Sequence, residues 1–347
     1  MQPSDINERG RENGDEGPLS KEDAEFNKVR VSTSEIIRPK DVPGTEDSLW
    51  TNRYSDKAKE YYKGLLERAI DVRDRVKKDQ KIAHSPILSM IHDIVEGDFI
   101  DDLYEYALSI PSDDELPAHS IAVTLASLKV GKGMGYDTKK LLRLGLTAFL
   151  ENVGMYKLPD NILEKTGELS PDEIAVIRKH PEISARIFGG MGEVFQQLGE
   201  VALQVHERSD GSGYPRGLKG KEISEAASII GLIDVYMAMI KDRPYRDKYI
   251  QNQAVKSVLE IGKGKFPPKV VREFLNQISL FPVNTHVRLN NKSIGRVIST
   301  NREQPLRPTI ELLYDGLGRK MDKAKIIQLS ESPLLHIVGS VDEKDLR

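Results

Sequence analysis

The sequence predicts a mainly α-helical protein with a small β appendage at its C-terminal end. Apolar residues recur at helical spacing over much of residues 46–280, whereas residues 281–347 contain short runs of alternating apolar and polar residues. The first 45 residues are polar and carry too few apolar side chains to offset the entropy of ordering a backbone. We therefore expect four stretches, which are a disordered tail (1–45), a helical region (46–110), a helical domain (111–280) and a β-rich module (281–347).

Composition excludes several classes of protein. The 347 residues carry a formal net charge of −3 and no cysteine. Disulfides, zinc–thiolate sites and thiol catalysis are therefore excluded, and without a global positive field we expect no DNA binding. No apolar run approaches the roughly 18 residues of a membrane span, and the first 30 residues lack the apolar core of a signal peptide. We expect neither a membrane span nor export, and a cytoplasmic location.

The region 46–110 is predicted to be helical, with Pro86 suited to a helix start. Its apolar residues at helix-like spacing are Tyr61, Leu65, Ile70, Ile87, Met90, Ile91, Ile94 and Ile100. This region is a candidate sensory or dimerising unit, so a homodimer is one expectation.

Two segments of the central domain read as core helices. Their apolar stripes are Leu142, Leu146, Phe149 and Leu150 in one segment, and Ala226, Ile229, Ile230, Ile233, Met237 and Ile240 in the other. Between them, Ser170 and Glu173 form a capping-box pattern around Pro171, which predicts a helix start shortly before His180.

The C-terminal module is predicted from three alternating runs at 285–289, 293–299 and 309–313. Asn290 and Asn291 separate the first two runs, and Asp315 followed by Gly316 marks a hairpin turn.

One carboxylate stands in an apolar helical run, because Asp234 lies between Ile233 and Val235. An isolated buried charge costs several kcal/mol, so this side chain must be paired, hydrogen-bonded or bound to metal. The same domain contains His119, His180 and His206. A set of histidines and carboxylates suits a divalent ion such as iron(II) or manganese(II).

The stretch 206–215 places a histidine, charged side chains, turn glycines and the triplet Gly213-Tyr214-Pro215 within ten residues. It resembles the signature loop of the HD-GYP family, which are metal-dependent phosphodiesterases acting on cyclic di-GMP. The stretches 158–163, 167–170 and 242–246 also match that family. The resemblance implies an HD-superfamily helical bundle, and the β appendage is similar to the tail that often follows such domains.

The resemblance carries over four metal ligands by position, which are His119, His180, His206 and Asp234. Glu115 stands four residues before His119 and is a further candidate ligand if the helix extends that far past Pro117.

The chain departs from the family pattern at four positions. Glu151 and Asn152 stand where the family has its His-Asp pair, Met155 replaces a lysine expected to meet substrate phosphate, and Val205 replaces the first histidine of a His-His pair. The missing aspartate is the ligand that bridges two metals in the family, and the Asn152 amide offers only a weakly binding carbonyl oxygen. We therefore expect one divalent ion, iron or manganese, held by His119, Asp234 and Glu151, or no metal at all. Glu151 and Asn152 as hydrogen-bonded core residues remain the alternative.

The loop itself keeps the family pattern and is a candidate binding surface. Arg208, Arg216 and Lys219 are candidates to meet phosphate. Gly213 and Pro215 fix the shape of the loop, and Tyr214 is a candidate anchor for a base or a partner protein. In the family this loop is associated with substrate binding and with contacts to GGDEF-type diguanylate cyclases.

Three functions remain open from the sequence. The preferred hypothesis is a degenerate HD-GYP protein, impaired in catalysis, that serves cyclic di-GMP signalling by binding the nucleotide or a partner through the loop. The second is an active metal-dependent phosphodiesterase with an altered ligand set. The third is a structural interaction module that binds no nucleotide.

Overall fold

The structure of the chain is a computed structural model. It describes residues 54–110, 115–165, 167–240, 251–278, 281, 283, 285–301, 304 and 306–341. The expected tail of residues 1–45 and the matching stretch 242–246 lie outside these ranges.

The described part of the chain is mainly helical up to residue 278. Its helices are α1 (Asp56–Lys77), α2 (His84–Glu96), α3 (Ile100–Ser109), α4 (Glu115–Gly133), α5 (Thr138–Leu150), α6 (Asp160–Leu163), α7 (Pro171–Ile177), α8 (His180–Met191), α9 (Glu193–Leu203), α10 (Glu225–Ile240), α11 (Gln251–Ile261) and α12 (Pro268–Gln277). Short 3₁₀ helices span Glu151–Lys157, Gly220–Glu222 and Leu329–Glu331.

Helices α1 to α3 pack into the same apolar core as the rest of the helical domain. Leu65 of α1 and Ile91 of α2 belong to one buried cluster with Leu144 of α5 and Tyr236 of α10. Helix α2 begins at His84, two residues before the predicted start at Pro86. The helices of residues 54–110 therefore share their core with the domain that carries the candidate site.

Helices α4 and α10 run through the centre of this core. Each is buried along most of its length, which explains why α10 is apolar on nearly every side and not along a single stripe. The other residues of the predicted stripes on α5 and α10 are buried, but Leu142 and Ala226 are only partly buried. The predicted capping box is confirmed, since Ser170 accepts from the Glu173 amide. Because His119 is on α4 and Asp234 is on α10, both side chains start from rigid, buried elements.

The C-terminal module is a five-stranded antiparallel sheet in the order β4-β3-β2-β1-β5. The strands are β1 (His286–Leu289), β2 (Ile294–Ser299), β3 (Thr309–Tyr314), β4 (Lys320–Gln328) and β5 (Ile337–Ser340). The predicted appendage and its Asp315 hairpin turn are confirmed, since the Asp315 amide donates to the Arg319 carbonyl. Strands β4 and β5 were not predicted, because β4 is rich in lysine and β5 is only four residues long.

The predicted absence of a membrane span agrees with the helices that can be described. None of them combines the length and the apolar character needed to cross a bilayer.

Candidate metal centre

Five potential metal ligands converge from separate elements of the helical domain. They are His119 on α4, Glu151 at the start of a 3₁₀ helix, His180 at the start of α8, His206 just after α9, and Asp234 on α10. Helix α5 ends one residue before Glu151, so its buried apolar face fixes where that carboxylate enters the site.

His119 and Asp234 face each other across the contact between α4 and α10. The distance from His119 Nε2 to Asp234 Oδ1 is 2.8 Å. Burial by itself raises the pKa of Asp234, but the hydrogen bond and charge of His119, together with His206 and His180, outweigh it and hold that pKa well below its usual range. Asp234 is therefore an ionised carboxylate at the centre of the site.

His180 and His206 point their Nε2 atoms at each other, 2.9 Å apart. His180 Nδ1 lies 2.8 Å from the Ile177 carbonyl, which can only accept, so the ring proton of neutral His180 sits on Nδ1. Burial lowers the pKa of His180, and burial together with His180 lowers the pKa of His206 to about 3. Both rings are therefore neutral at pH 7, which is the form that binds metal. Two adjacent ligands of an ion with bonds of about 2.1 Å lie about 3.0 Å apart at a right angle, close to the observed spacing.

Glu151 is a buried carboxyl group with an unused oxygen. The residue is 1% exposed, its Oε1 accepts from Asn152 Nδ2, and its Oε2 has no hydrogen-bond partner among the described residues. Burial, together with the negative charge of Asp234, raises the pKa of Glu151 well above its usual range. A bound cation would satisfy the unused oxygen and favour the ionised form.

Ser184 of α8 holds the Glu151 segment in place. Its Oγ donates to the Glu151 carbonyl at 2.6 Å and accepts from the Gly154 amide at 2.9 Å. A Cβ on Gly154 would overlap the His180 carbonyl oxygen, so the 3₁₀ helix packs directly on the first turn of α8. The positions of Glu151 and His180 are therefore fixed relative to each other.

The five donors form two overlapping sets. In each set the ligand atoms lie within 4.8 Å of one another, and Glu151 belongs to both. One set adds His180 and His206, and the other adds His119 and Asp234. Neutral imidazoles and carboxylates are the donors that iron(II) and manganese(II) accept. The residues present therefore fit a divalent metal centre.

Three positions at which the sequence analysis expects a departure from the family pattern are Asn152, Met155 and Val205. Asn152 uses its amide nitrogen to donate to Glu151 Oε1. Val205 is buried in the apolar core, and Met155 is partly buried in the 3₁₀ helix. Helix α4 begins at Glu115 despite Pro117, but the side chain of Glu115 lies outside the described part of the structure.

The loop that follows His206 is held from within by Glu207. This side chain is 2% exposed and accepts from the Arg216 amide at 2.7 Å and from the Leu218 amide at 2.9 Å. Gly213 packs against the backbone, since a Cβ there would come within 2.5 Å of the His206 carbonyl oxygen. Pro215 follows a cis peptide bond. The conformation of the loop is therefore set by buried backbone contacts.

The three basic residues predicted to meet phosphate occupy different environments. Arg208 is buried, stacks on Phe266 and donates to the Val205 and Glu207 carbonyls, so it braces the loop from inside. Arg216 pairs with Glu200 at the surface. The stem of Lys219 lies against Gly211.

Tyr214 is stacked on a candidate ligand. Its ring is parallel to that of His206, with centroids 4.9 Å apart and an interplanar angle of 3°, and the Arg178 guanidinium lies 5.1 Å from the Tyr214 centroid. These contacts connect the loop to the candidate metal centre and hold the orientation of the His206 ring.

Arg178, Ser184 and Glu207 are site residues that sequence reasoning missed. Arg178 and Glu207 each lie within two residues of a predicted ligand histidine, which is a weak signal. Ser184 contacts residues about 30 positions away, and no local pattern reports such a contact.

The helical region and the sheet each match a family model. Residues 109–270 match the family model described as "HD domain", and residues 286–347 match the one described as "KOW domain associated with HD domain". The helical region around the candidate centre is therefore similar to HD domains, and the sheet lies in the segment that matches the associated module.

Two curated proteins illustrate what this chain is similar to. A cyclic di-GMP phosphodiesterase of Pseudomonas aeruginosa is 29% identical over 221 residues, covering 64% of this chain and 53% of the relative. A cyclic di-GMP phosphodiesterase of Thermotoga maritima is 35% identical over 169 residues, covering 48% of this chain and 46% of the relative. The chain thus spans about half the length of these curated relatives.

A solved structure supports the fold. An HDG"Y"P protein from Bdellovibrio bacteriovorus superposes with a TM-score of 0.53 and 19% identity, covering 67% of this chain and 73% of the other. At this level of identity the likeness concerns the fold alone.

Proposed function

We propose that this chain is a degenerate HD-GYP protein of cyclic di-GMP signalling that binds the nucleotide at its metal centre and loop and hydrolyses it much more slowly than its relatives. The observation that carries the proposal is the state of the Glu151-Asn152 pair. The ligand atom of Glu151 lies within 4.8 Å of those of its candidate partners in both sets. The Asn152 amide, in contrast, donates to Glu151 and offers no second carboxylate.

Nucleotide binding is supported by the charges that face the loop and the centre. A divalent ion held by Glu151 and the histidines would supply the positive charge that attracts phosphate oxygens. Lys219 lies on the loop, and Arg178 adds a guanidinium beside Tyr214, whereas Arg216 is paired with Glu200. The names of the relatives in Pseudomonas and Thermotoga favour cyclic di-GMP as the ligand.

Slow turnover follows from the lost polar groups. Asn152 is neutral where the family pattern has a bridging aspartate, and Met155 carries no charge where that pattern has a lysine. Removing one group that stabilises charge in a transition state costs about 10²–10³ in rate, so two such losses leave little catalysis.

The stacking of Tyr214 bears on the choice between nucleotide and partner protein. Its ring contacts His206 on one side and Arg178 on another, so much of its surface is already used inside the molecule. A protein or a base that stacked on the covered face of this ring would first have to displace Arg178, whereas a phosphate group could pair with the guanidinium where it lies. We therefore favour the nucleotide as the ligand of the loop.

A second candidate is an active phosphodiesterase with an altered ligand set. The unused Glu151 Oε2 favours it, since a buried oxygen of this kind is a ready metal ligand. The two candidate functions predict different rates of cyclic di-GMP hydrolysis, but both require a bound metal ion.

The test is binding and turnover of cyclic di-GMP by protein loaded anaerobically with manganese(II) or iron(II). Calorimetry should show binding that needs metal, and chromatography should show the nucleotide largely intact over many protein equivalents. The double variant Glu151→His, Asn152→Asp should turn over faster, and His92→Gln on an exposed helix face is the matched control. No binding with or without metal would refute the proposal. Rapid turnover by the unaltered chain would establish the second candidate.

A further inference from the structure

Arg178 is connected to the candidate metal centre through two aromatic rings. Its guanidinium carbon lies 5.1 Å from the centroid of the Tyr214 ring, and that ring is stacked on His206 with centroids 4.9 Å apart. His206 in turn points its Nε2 at the Nε2 of His180. From this placement we infer that Arg178, held by Tyr214, forms a second anion subsite for the phosphodiester group of a cyclic dinucleotide that does not contact the metal ion. The inference rests on the proposed function, because it assigns a residue to the ligand named there.

The backbone of Arg178 is fixed by the helix turn that it ends. The residue caps the C-terminal end of α7, where its amide donates to the Ile174 carbonyl at 2.9 Å, and α8 begins two residues later at His180. Arg178 is only partly buried, so part of it is open to an anion from solvent. A side chain that already contacts a ring loses less conformational entropy when it binds a ligand. The position therefore favours binding of an anion.

The contact with Tyr214 is compatible with a phosphate group on the same guanidinium. A contact between the guanidinium carbon and an aromatic ring uses none of the N–H donors, which lie in the guanidinium plane. Two of these donors match the two non-bridging oxygens of a phosphodiester, and such a bidentate pair is stronger than a neutral hydrogen bond. The ring and the anion can therefore contact Arg178 at the same time.

The two arginines of the loop itself are engaged by protein groups. Arg208 is buried and donates to backbone carbonyls, and Arg216 pairs with Glu200. Met155 carries no charge at the position where the HD-GYP pattern has a lysine for substrate phosphate. Arg178 therefore brings to the site, from a different element, a positive charge of the kind that Met155 does not provide.

A cyclic dinucleotide needs such a charge outside the ligand shell of the ion. It has two phosphodiester groups, each with one negative charge, on opposite sides of its macrocycle. An ion held by the histidines and carboxylates would bind one of these groups. Arg178 is suited to the other group, because it contacts the ring stacked on a candidate ligand and is not a ligand itself.

The test compares cyclic di-GMP with GMP, which has a single phosphate group, by calorimetry on manganese-loaded protein. Arg178→Met should weaken cyclic di-GMP binding about tenfold, the loss expected for a hydrogen-bonded pair of charged groups, and should leave GMP binding unchanged. Manganese affinity should also be unchanged, since a methionine keeps an apolar contact with the Tyr214 ring. Arg178→Lys keeps the charge without the bidentate geometry and should give an intermediate affinity. Arg186→Met removes an exposed arginine of α8 and is the matched control.

Three results would overturn the inference. They are unchanged cyclic di-GMP affinity in Arg178→Met, an equal loss for GMP, or a loss of manganese affinity that accounts for the weaker nucleotide binding. The last result would show that Arg178 acts only through Tyr214 and His206. If Arg178→Met does not fold by circular dichroism, Arg178→Gln replaces it with the same expectations. Absence of cyclic di-GMP binding by the unaltered chain would defeat the proposed function, whereas binding that does not depend on Arg178 would defeat only this inference.

Discussion

Two segments contribute to the candidate centre, and different contacts hold each of them in place. The 3₁₀ helix 151–157 is fixed to α8 by Ser184 and by the close packing of Gly154, and both contacts act on its backbone. The loop 206–220 is fixed by two of its own residues, Glu207 and Gly213. The difference teaches that the contacts holding the 3₁₀ helix do not involve the Glu151 and Asn152 side chains, whereas the shape of the loop depends on residues within it.

The largest effect is expected for Glu207→Ala, which tests whether the loop depends on its internal carboxylate. The change leaves the Arg216 and Leu218 amides without their buried acceptor. Hydrogen bonds to a charged group contribute about 1.5–3 kcal/mol each, so we expect a loss of about 4 kcal/mol. Urea unfolding gives the value, and hydrogen exchange should accelerate at both amides. Glu182→Ala removes an exposed carboxylate and is the control. An equal loss of unfolding free energy in that variant would show that the buried position of Glu207 does not matter.

Gly213→Ala should cost about 2 kcal/mol, because overpacking against a fixed backbone forces the loop to move. The added Cβ would press on Glu207 Cα and the His206 carbonyl oxygen. Gly189→Ala on α8 is the matched change, since nothing lies within 4 Å of its new Cβ and alanine favours a helix. Thermal melts should therefore shift in opposite directions. Melting temperatures that shifted in the same direction in both variants would mean that close packing at Gly213 does not matter.

Ser184→Ala addresses the other segment and should cost about 1–2 kcal/mol, since the Gly154 amide and the Glu151 carbonyl lose a buried partner. Manganese affinity should fall with it as Glu151 loosens. Ser127→Ala is the control, because Ser127 Oγ is buried without a hydrogen-bond partner in the described part of the chain. Unchanged metal affinity in Ser184→Ala would show that the two hydrogen bonds of Ser184 do not position Glu151.

Tyr214→Leu should give the smallest effect, about 1 kcal/mol, because it removes a stack on His206 and a cation–π contact with Arg178. Tyr214 lies in the loop and stacks on His206, which shares a donor set with Glu151 of the 3₁₀ helix. Manganese affinity should therefore fall a few-fold as the His206 ring loses its orientation. Tyr214→Phe keeps the ring and should retain most of that affinity. Equal loss in both variants would assign the effect to the hydroxyl.

The sequence predicted the helical fold well because apolar periodicity reports directly on buried helix faces, as on α5 and α10. It also required a partner for Asp234, and the structure places His119 beside it. The roles of Ser184 and Glu207 could not be predicted from the sequence, because each depends on hydrogen bonds to backbone groups whose positions only the folded chain defines. Arg208 looked like a phosphate ligand in sequence, and its buried contacts with carbonyl groups carry no sequence signature.

Val205 shows what a further histidine beside His206 would cost. Its side chain is buried in the apolar core, and its carbonyl oxygen is so close to Gly231 that a Cβ there would overlap it. A histidine at 205 would bring a polar ring into apolar surroundings, at a cost in stability unless the ring gained a partner. A ligand added at this position would therefore have to be stabilised by the ion that it binds.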